Sequence, residues 1–96
     1  GEIMKEKGIE QKFVDEVKRI NGFAIKLVSP GFSGLPDRLV LIPDGKIGFV
    51  EVKAPGKKPR RLQRSRHDQL RKLGFKVFVL DNINQIGGII DEIRTT

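Results

Sequence analysis

Apolar residues recur along the chain with two different periods, and these periods predict its secondary structure. The first group falls at helical spacing, with charged residues between its members: Ile9, Phe13, Val14, Val17 and Ile20. This pattern predicts an amphipathic helix over residues 9–20. The Asn21-Gly22 pair that follows is typical of a helix end.

Runs of strand-forming residues predict a sheet. Residues 23–28, 37–42 and 46–53 are rich in Val, Ile, Leu and Phe. Because Asp44-Gly45 lies between the second and third runs, these two strands are predicted to be antiparallel neighbours. Residues 75–80 are a fourth run, apolar enough to predict a place in the sheet interior. Residues 31–36, with two glycines and a proline, are predicted to form a loop.

Two more helices complete the predicted order α-β-β-β-α-β-α. Residues 61–73 form a mostly basic helix that Gly74 ends, with three leucines predicted on one side: Leu62, Leu70 and Leu73. The last helix begins after Asn82, with Gln85 as a weak capping partner. Five isoleucines form one stripe on it, interpreted first as core and alternatively as a dimer contact: Ile83, Ile86, Ile89, Ile90 and Ile93. The order predicts an α/β fold with a mixed sheet flanked by helices.

Length and composition exclude several classes of protein. A chain of 96 residues is predicted to form a single domain over residues 1–96. It has no cysteine, which excludes disulfides and thiolate metal sites. It also has no apolar run of about 18 residues and no signal-peptide core, so an intracellular protein that does not enter a membrane is expected. Residues 1–3 precede Met4 and are interpreted as a remnant of cloning, with no function.

The excess positive charge lies in one segment. Residues 53–72 contain nine cations and one anion, whereas the whole chain has a net charge of +7. The rest of the chain is therefore close to neutral. Such a block predicts a contact with the phosphate backbone of nucleic acid. A solvated basic face that only aids solubility is the alternative.

Three carboxylates and one lysine occupy ordered positions in these elements. Glu10 shares the apolar stripe of the first helix, so a cation is expected to face it; alternatively it reaches water from the edge of the stripe. Glu51 and Lys53 lie two apart and point to one face of their strand. Asp37 begins the partner strand and is expected beside Glu51. Carboxylate oxygens select Mg²⁺ or Mn²⁺, which together with a lysine suits phosphodiester hydrolysis.

The motif Gly34-Leu35-Pro36-Asp37, followed after a hairpin by Glu51-Val52-Lys53, resembles the PD-(D/E)XK nuclease signature. With Glu10 and Gln63, the pattern is similar to the virus-type replication-repair nuclease (VRR-NUC) family, from Glu10 to about Leu80. The resemblance implies a restriction-endonuclease-like core. It implies that Asp37, Glu51 and the Val52 carbonyl bind the metal and that Glu10 completes the outer coordination. It also implies that Lys53 is the catalytic lysine and that Gln63 positions water or phosphate.

Other residues leave alternatives open. Gln63 fits a helix-capping or packing role as well as the role that the resemblance implies. His67, the only histidine, is expected on a wet helix face, on the surface or contacting phosphate. Phe32 is interpreted either as a wedge against bases or as a hydrophobic plug.

The resulting hypothesis is a metal-dependent DNA endonuclease. The cations expected to hold DNA phosphates are Lys57, Lys58, Arg60, Arg61, Arg64 and Arg66. Backbone contacts select DNA shape over sequence. By resemblance to viral and phage members, the chain would be a homodimer acting in the host bacterial cytoplasm on branched DNA such as Holliday junctions, as in DNA repair. The alternatives are a non-catalytic nucleic-acid-binding module and a protein adaptor that uses the Ile-rich helix.

Overall fold

The computed structural model describes residues 5–96, so the interpretation of residues 1–3 lies outside the described part of the chain. The elements follow the predicted order, with a short 3₁₀ turn at Ile83–Gln85 before the last helix. The helices and strands are α1 (Glu6–Arg19), β1 (Phe23–Lys26), β2 (Arg38–Ile42), β3 (Lys46–Val52), α2 (Arg61–Lys72), β4 (Val77–Leu80) and α3 (Ile86–Arg94). The single-domain organisation stays a prediction.

The four strands form one mixed sheet in the order β1-β2-β3-β4. The pairs β1–β2 and β2–β3 are antiparallel, and β3–β4 is parallel. The predicted α/β class and hairpin are therefore confirmed. Three residues, Pro43, Asp44 and Gly45, connect the paired Ile42 and Lys46. Asp44 and Gly45 both have φ of 71°, in the left-handed region that Asp and Gly adopt more readily than other residues.

The predicted position of β4 in the sheet interior is wrong, because β4 lies at the edge beside β3. Its ends, Val77 and Leu80, are buried, while Phe78 and Val79 are half-buried. The strand is rich in apolar residues because both of its faces are covered: α2 contacts it, and Phe78 packs on the main core. A strand can therefore be this apolar without having a neighbouring strand on each side.

The main core lies between one face of the sheet and the helices α1 and α3. Its sheet side is formed by alternate residues, of which Val40 and Val50 are fully buried. The helices contribute two stripes, from α1 Ile9, Phe13 and Val17, and from α3 Ile86, Ile89, Ile90 and Ile93. The interpretation of the isoleucine stripe as core is confirmed for α3. Ile83 is outside it and is 37% exposed.

The opposite sheet face is covered only in part. The strand register places six apolar side chains on it: Phe23, Ile25, Leu39, Leu41, Ile47 and Phe49. Phe23 is 67% exposed and Ile25 is 43% exposed, because α2 contacts β4 at the far side of the sheet. The face over β1 and β2 is thus an apolar surface, called here the open sheet face.

The later helices add detail to the sequence expectation. Leu62 in α2 and Leu73, the residue after it, are 50% and 74% exposed, so the side predicted to carry the three leucines is only partly covered. Before α3, the Asn82 side chain accepts a hydrogen bond from the Asn84 N–H, while Gln85 exchanges hydrogen bonds with Asp81.

Within residues 5–96, no helix is both long and apolar enough to cross a bilayer.

Candidate active site

The β2–β3 hairpin brings Asp37 and Glu51 together. Arg38 pairs with Val50, so the register places Asp37 opposite Glu51 on the other face of the sheet. The Asp37 Oδ2 atom accepts a hydrogen bond of 2.7 Å from the backbone N–H of Val52. This bond ties the carboxylate before β2 to the end of β3. Asp37 and Glu51 are therefore neighbours in the structure, as the sequence predicted.

Glu51 is a buried carboxylate with one oxygen held and one unsatisfied. Its side chain is 1% exposed. Its Oε2 atom accepts from Gln63 Nε2 at 3.1 Å and lies 3.5 Å from the Lys53 ammonium. Its Oε1 atom has no hydrogen-bond partner. A buried carboxylate oxygen without a partner is costly, so this site needs a further donor or cation.

Burial and the neighbouring acid make Glu51 hard to ionise. Removal from water raises the pKa of the Glu51 carboxyl to about 8, with the charge and hydrogen bonding of Asp37 adding to the rise and Lys53 opposing it. Two carboxylates this close cannot both be charged without help. A bound cation is the usual remedy, because it removes the repulsion that raises the pKa.

The donor atoms suit a hard divalent cation. Asp37 and Glu51 supply carboxylate oxygens, and Val52, whose carbonyl is the third candidate ligand, follows Glu51 in the chain and donates its N–H to Asp37. Within residues 5–96, no three acidic or histidine side chains gather closely enough to form a cage. Mg²⁺ at phosphate sites is commonly held by one or two carboxylates, with waters and substrate oxygens completing the shell. Two carboxylates with an unsatisfied oxygen therefore fit such an ion.

Glu10 is not brought to this pair. Its Oε2 atom accepts from Arg38 Nε at 2.9 Å, and the same guanidinium donates to the Ala24 carbonyl at 3.0 Å. The expected cation facing Glu10 is therefore Arg38. Because Arg38 pairs with Val50, which belongs to the core facing α1, this ion pair lies on the sheet face opposite Glu51. The metal role of Glu10 stays a prediction.

Helix α2 presents two side chains to Glu51, one turn apart. Gln63 accepts from the Arg60 N–H at 2.8 Å through Oε1 while its Nε2 donates to Glu51, so it caps the helix and contacts the site. His67 is 1% exposed, and its Nε2 atom lies 3.5 Å from Glu51 Oε1. The prediction of His67 on a wet face is wrong. Its spacing of four residues from Gln63 is the sequence signal that was missed.

The basic segment around the site is exposed. Five of the six cations predicted to hold DNA phosphates are exposed, and within the described chain none of them pairs with a carboxylate: Lys57, Lys58, Arg60, Arg61 and Arg64. Arg66 differs, because its Nε donates to the Ser33 carbonyl at 2.7 Å and its guanidinium lies 3.9 Å from the centre of the Phe32 ring. The structure thus leaves five cations free for an external anion.

The loop before Asp37 packs directly on α2. Gly34 has φ of +84°, and a Cβ there would lie 2.8 Å from Arg66 Cγ and 3.1 Å from Leu62 Cγ. Only glycine meets both demands. Pro36 is buried next to it. This packing fixes the approach of the chain to Asp37. Phe32 is 47% exposed and lines an apolar groove with Leu35, Leu70 and Leu73.

Comparison with known proteins gives a consistent assignment. The model of the VRR-NUC domain family matches residues 4–82, so the chain belongs to the VRR-NUC domain family. A phage protein, "Putative nuclease p44" of Acyrthosiphon pisum secondary endosymbiont phage 1, is 52% identical over 80 residues, which are 83% of this chain and 86% of that protein. A solved structure of a VRR-NUC domain superposes with a TM-score of 0.82 at 33% identity, covering 92% of this chain and 97% of that one.

Glu51→Gln is expected to stabilise the metal-free protein at high pH. Because the pKa of Glu51 rises from 4.5 to about 8 on folding, the stability present below the unfolded pKa is lost as the pH rises through the folded one. At pH 9 the variant should melt several degrees higher than wild type, since each kcal/mol moves the midpoint of a domain of this size by about 4–8 °C. At pH 5 the wild-type protein and the variant should have nearly the same melting temperature.

The matched control is Asp91→Asn, which removes a carboxylate that is 76% exposed. It should follow the wild-type curve at both pH values in thermal unfolding. A Glu51→Gln variant that melts below wild type at pH 9 would show that the buried carboxylate is not a destabilising group.

Proposed function

We propose that this protein is a metal-dependent DNA endonuclease that hydrolyses phosphodiester bonds in branched DNA, Holliday junctions included. The observation that carries the proposal is the Asp37–Glu51 pair, with one carboxylate oxygen unsatisfied, beside five unpaired cations. The carboxylates alone would repel DNA. A divalent cation together with the basic segment reverses that field and attracts a phosphate to the same place.

Asp37, Glu51 and the Val52 carbonyl would hold Mg²⁺ or Mn²⁺. When bound, such an ion activates water and neutralises charge that develops on the scissile phosphate. The resemblance to PD-(D/E)XK nucleases supports this ligand set, and the short bond from the Val52 N–H to Asp37 supports a fixed geometry. The outer-coordination role that the resemblance implies for Glu10 stays a prediction, because its carboxylate is paired with Arg38 on the opposite face of the sheet.

Lys53 and Gln63 are proposed to act beside the ion. The Lys53 ammonium lies 3.5 Å from Glu51 and is only 17% exposed, so it is held on the face where the phosphate would approach. From there it can orient the attacking water or stabilise the charged transition state. Gln63 keeps one N–H on Glu51 and has a second to offer to water or phosphate.

Wild-type protein with Mg²⁺ or Mn²⁺ is expected to cut four-way DNA junctions. Glu51→Gln should lower the cleavage rate at least about 100-fold, the upper end of the cost of losing a group that supports a metal. The variant should still bind the junction, because the basic segment that is proposed to hold the phosphates is unchanged. Asp91→Asn should cleave normally. These rates and affinities are measured on the same labelled junction.

The outcome separates this proposal from a non-catalytic DNA-binding module. If wild-type protein leaves junctions, flaps and plain duplex intact with either metal while still binding them, the module is the correct description. If it binds no DNA at all, the adaptor hypothesis gains support.

Duplex phosphates are proposed to lie along the exposed basic segment. Replacing Arg60, Arg61 and Arg64 together by Gln should reduce the slope of log affinity against log salt by about 2–3, since each phosphate contact contributes about 0.9. The matched control carries Gln at three exposed lysines of α1: Lys7, Lys12 and Lys18. Both variants lose three charges, so net charge alone predicts equal slopes. Equal slopes in fluorescence-anisotropy titrations would contradict the proposed path of the DNA.

The protein is further proposed to act as a homodimer, in the host cytoplasm if phage-encoded like its relative. The open sheet face supports the dimer, because it presents adjacent apolar strands to solvent and a second copy carries the same surface. A two-fold axis would give two active sites for the paired strands of a junction.

Ile25→Lys is expected to turn the dimer into a monomer, since it places a charge in the open sheet face. Val28→Lys is the matched control, because Val28 is 78% exposed and lies just beyond β1. Light scattering at about 50 μM should give a dimer for wild type and Val28→Lys. A dimeric Ile25→Lys variant would contradict the use of this face.

A further inference from the structure

His67 is a buried polar side chain without a partner, and it faces the carboxylate on which the site depends. Its side chain is 2% exposed, and its Nε2 atom makes no hydrogen bond. The Glu51 Oε1 atom lies 3.5 Å from this nitrogen, and it is also buried and without a hydrogen-bond partner. One hydrogen bond between these two buried atoms would satisfy both of them.

The chemistry of an ion-binding carboxylate decides which of the two atoms is the donor. A carboxylate that binds a cation is deprotonated and has no hydrogen to give, so in the ion-loaded site the histidine must supply it. A neutral imidazole has one N–H, and Nε2 is the nitrogen that faces Glu51. An approach of about half an ångström brings this pair to ordinary hydrogen-bond distance.

The contacts on Glu51 are then shared between its two oxygens. Gln63 and Lys53 hold Oε2, which leaves Oε1 without a protein donor. Each carboxylate oxygen has two lone pairs, so an N–H on Oε1 does not prevent that oxygen from binding an ion. Groups that hydrogen-bond a metal-binding carboxylate fix its orientation and raise the affinity of the site.

We infer that His67 is a positioning residue for Glu51, whose Nε2–H donates to Glu51 Oε1 and holds the carboxylate in the orientation that binds the divalent cation. This inference rests on the proposed function, because it assumes that Glu51 binds the ion. His67 touches neither the ion nor the DNA. His67 acts on the site through the Glu51 carboxylate, as Gln63 does from one turn away on the same helix.

Mn²⁺ affinity, measured by electron paramagnetic resonance of the free ion, tests the inference without any DNA. His67→Phe keeps an aromatic ring and removes the donor, and His67→Gln keeps an N–H near the position of Nε2. His67→Phe should weaken Mn²⁺ binding about 10-fold or more, within the range for groups that support a ligand. His67→Gln should stay within about threefold of wild type. Equal affinities of wild type and His67→Phe, or equal losses in both variants, would overturn the inference.

Nuclear magnetic resonance gives a second, independent readout on the unmutated protein. The chain has a single histidine, so its imidazole nitrogens give one set of signals. In the Mg²⁺-loaded protein these should show the neutral tautomer with the proton on Nε2. A proton on Nδ1 would overturn the inference even if His67→Phe failed to fold.

The same titrations separate failure of this inference from failure of the proposed function. If wild type binds no Mn²⁺, or if Glu51→Gln binds it as wild type does, the metal site itself is wrong. If wild type binds Mn²⁺ and Glu51→Gln does not, only the His67 variants and the tautomer decide the role of His67.

Discussion

The burial of the Glu51 carboxylate is the constraint on which the rest of the site depends. The parallel β3–β4 pair and helix α2 enclose it, and Asp37 lies across the hairpin with its own carboxylate fixed to the Val52 N–H. The consequence is a pKa of about 8 for Glu51 and an oxygen without a partner. The fold thus maintains a group that is costly in the absence of a cation, as functional sites often do.

The two faces of the sheet have different roles: one forms the main core, and the other carries the candidate site around Glu51. On one face, valines of β2 and β3 pack against α1 and α3 and form the main core. On the other face, α2 covers only the side of β3 and β4 and presents Gln63 and His67 to Glu51. Strand alternation alone assigns each residue of β3 to one of these roles. A rigid core behind the strand therefore holds the carboxylate on its front.

Much of this architecture follows from the sequence because its signals are local. The hairpin was predictable from Asp44-Gly45, and the α3 core from the isoleucine stripe. The neighbours Asp37 and Glu51 followed from strand register. The edge position of β4 did not follow, since an apolar strand covered on its faces looks like a central one. The Glu10–Arg38 pair depends on how α1 docks on the sheet, which spacing within one helix does not specify. The burial of His67 was signalled only by its spacing of four residues from Gln63.

Asp37 and Glu51 are proposed to form a site for a divalent cation beside the basic segment. Anomalous scattering of Mn²⁺ in crystals of the protein soaked with MnCl₂ would locate the ion. A peak is expected at about 2.0–2.3 Å from one oxygen of each carboxylate, as for octahedral oxygen sites. Full-occupancy Mn²⁺ elsewhere with none between these two residues would contradict it.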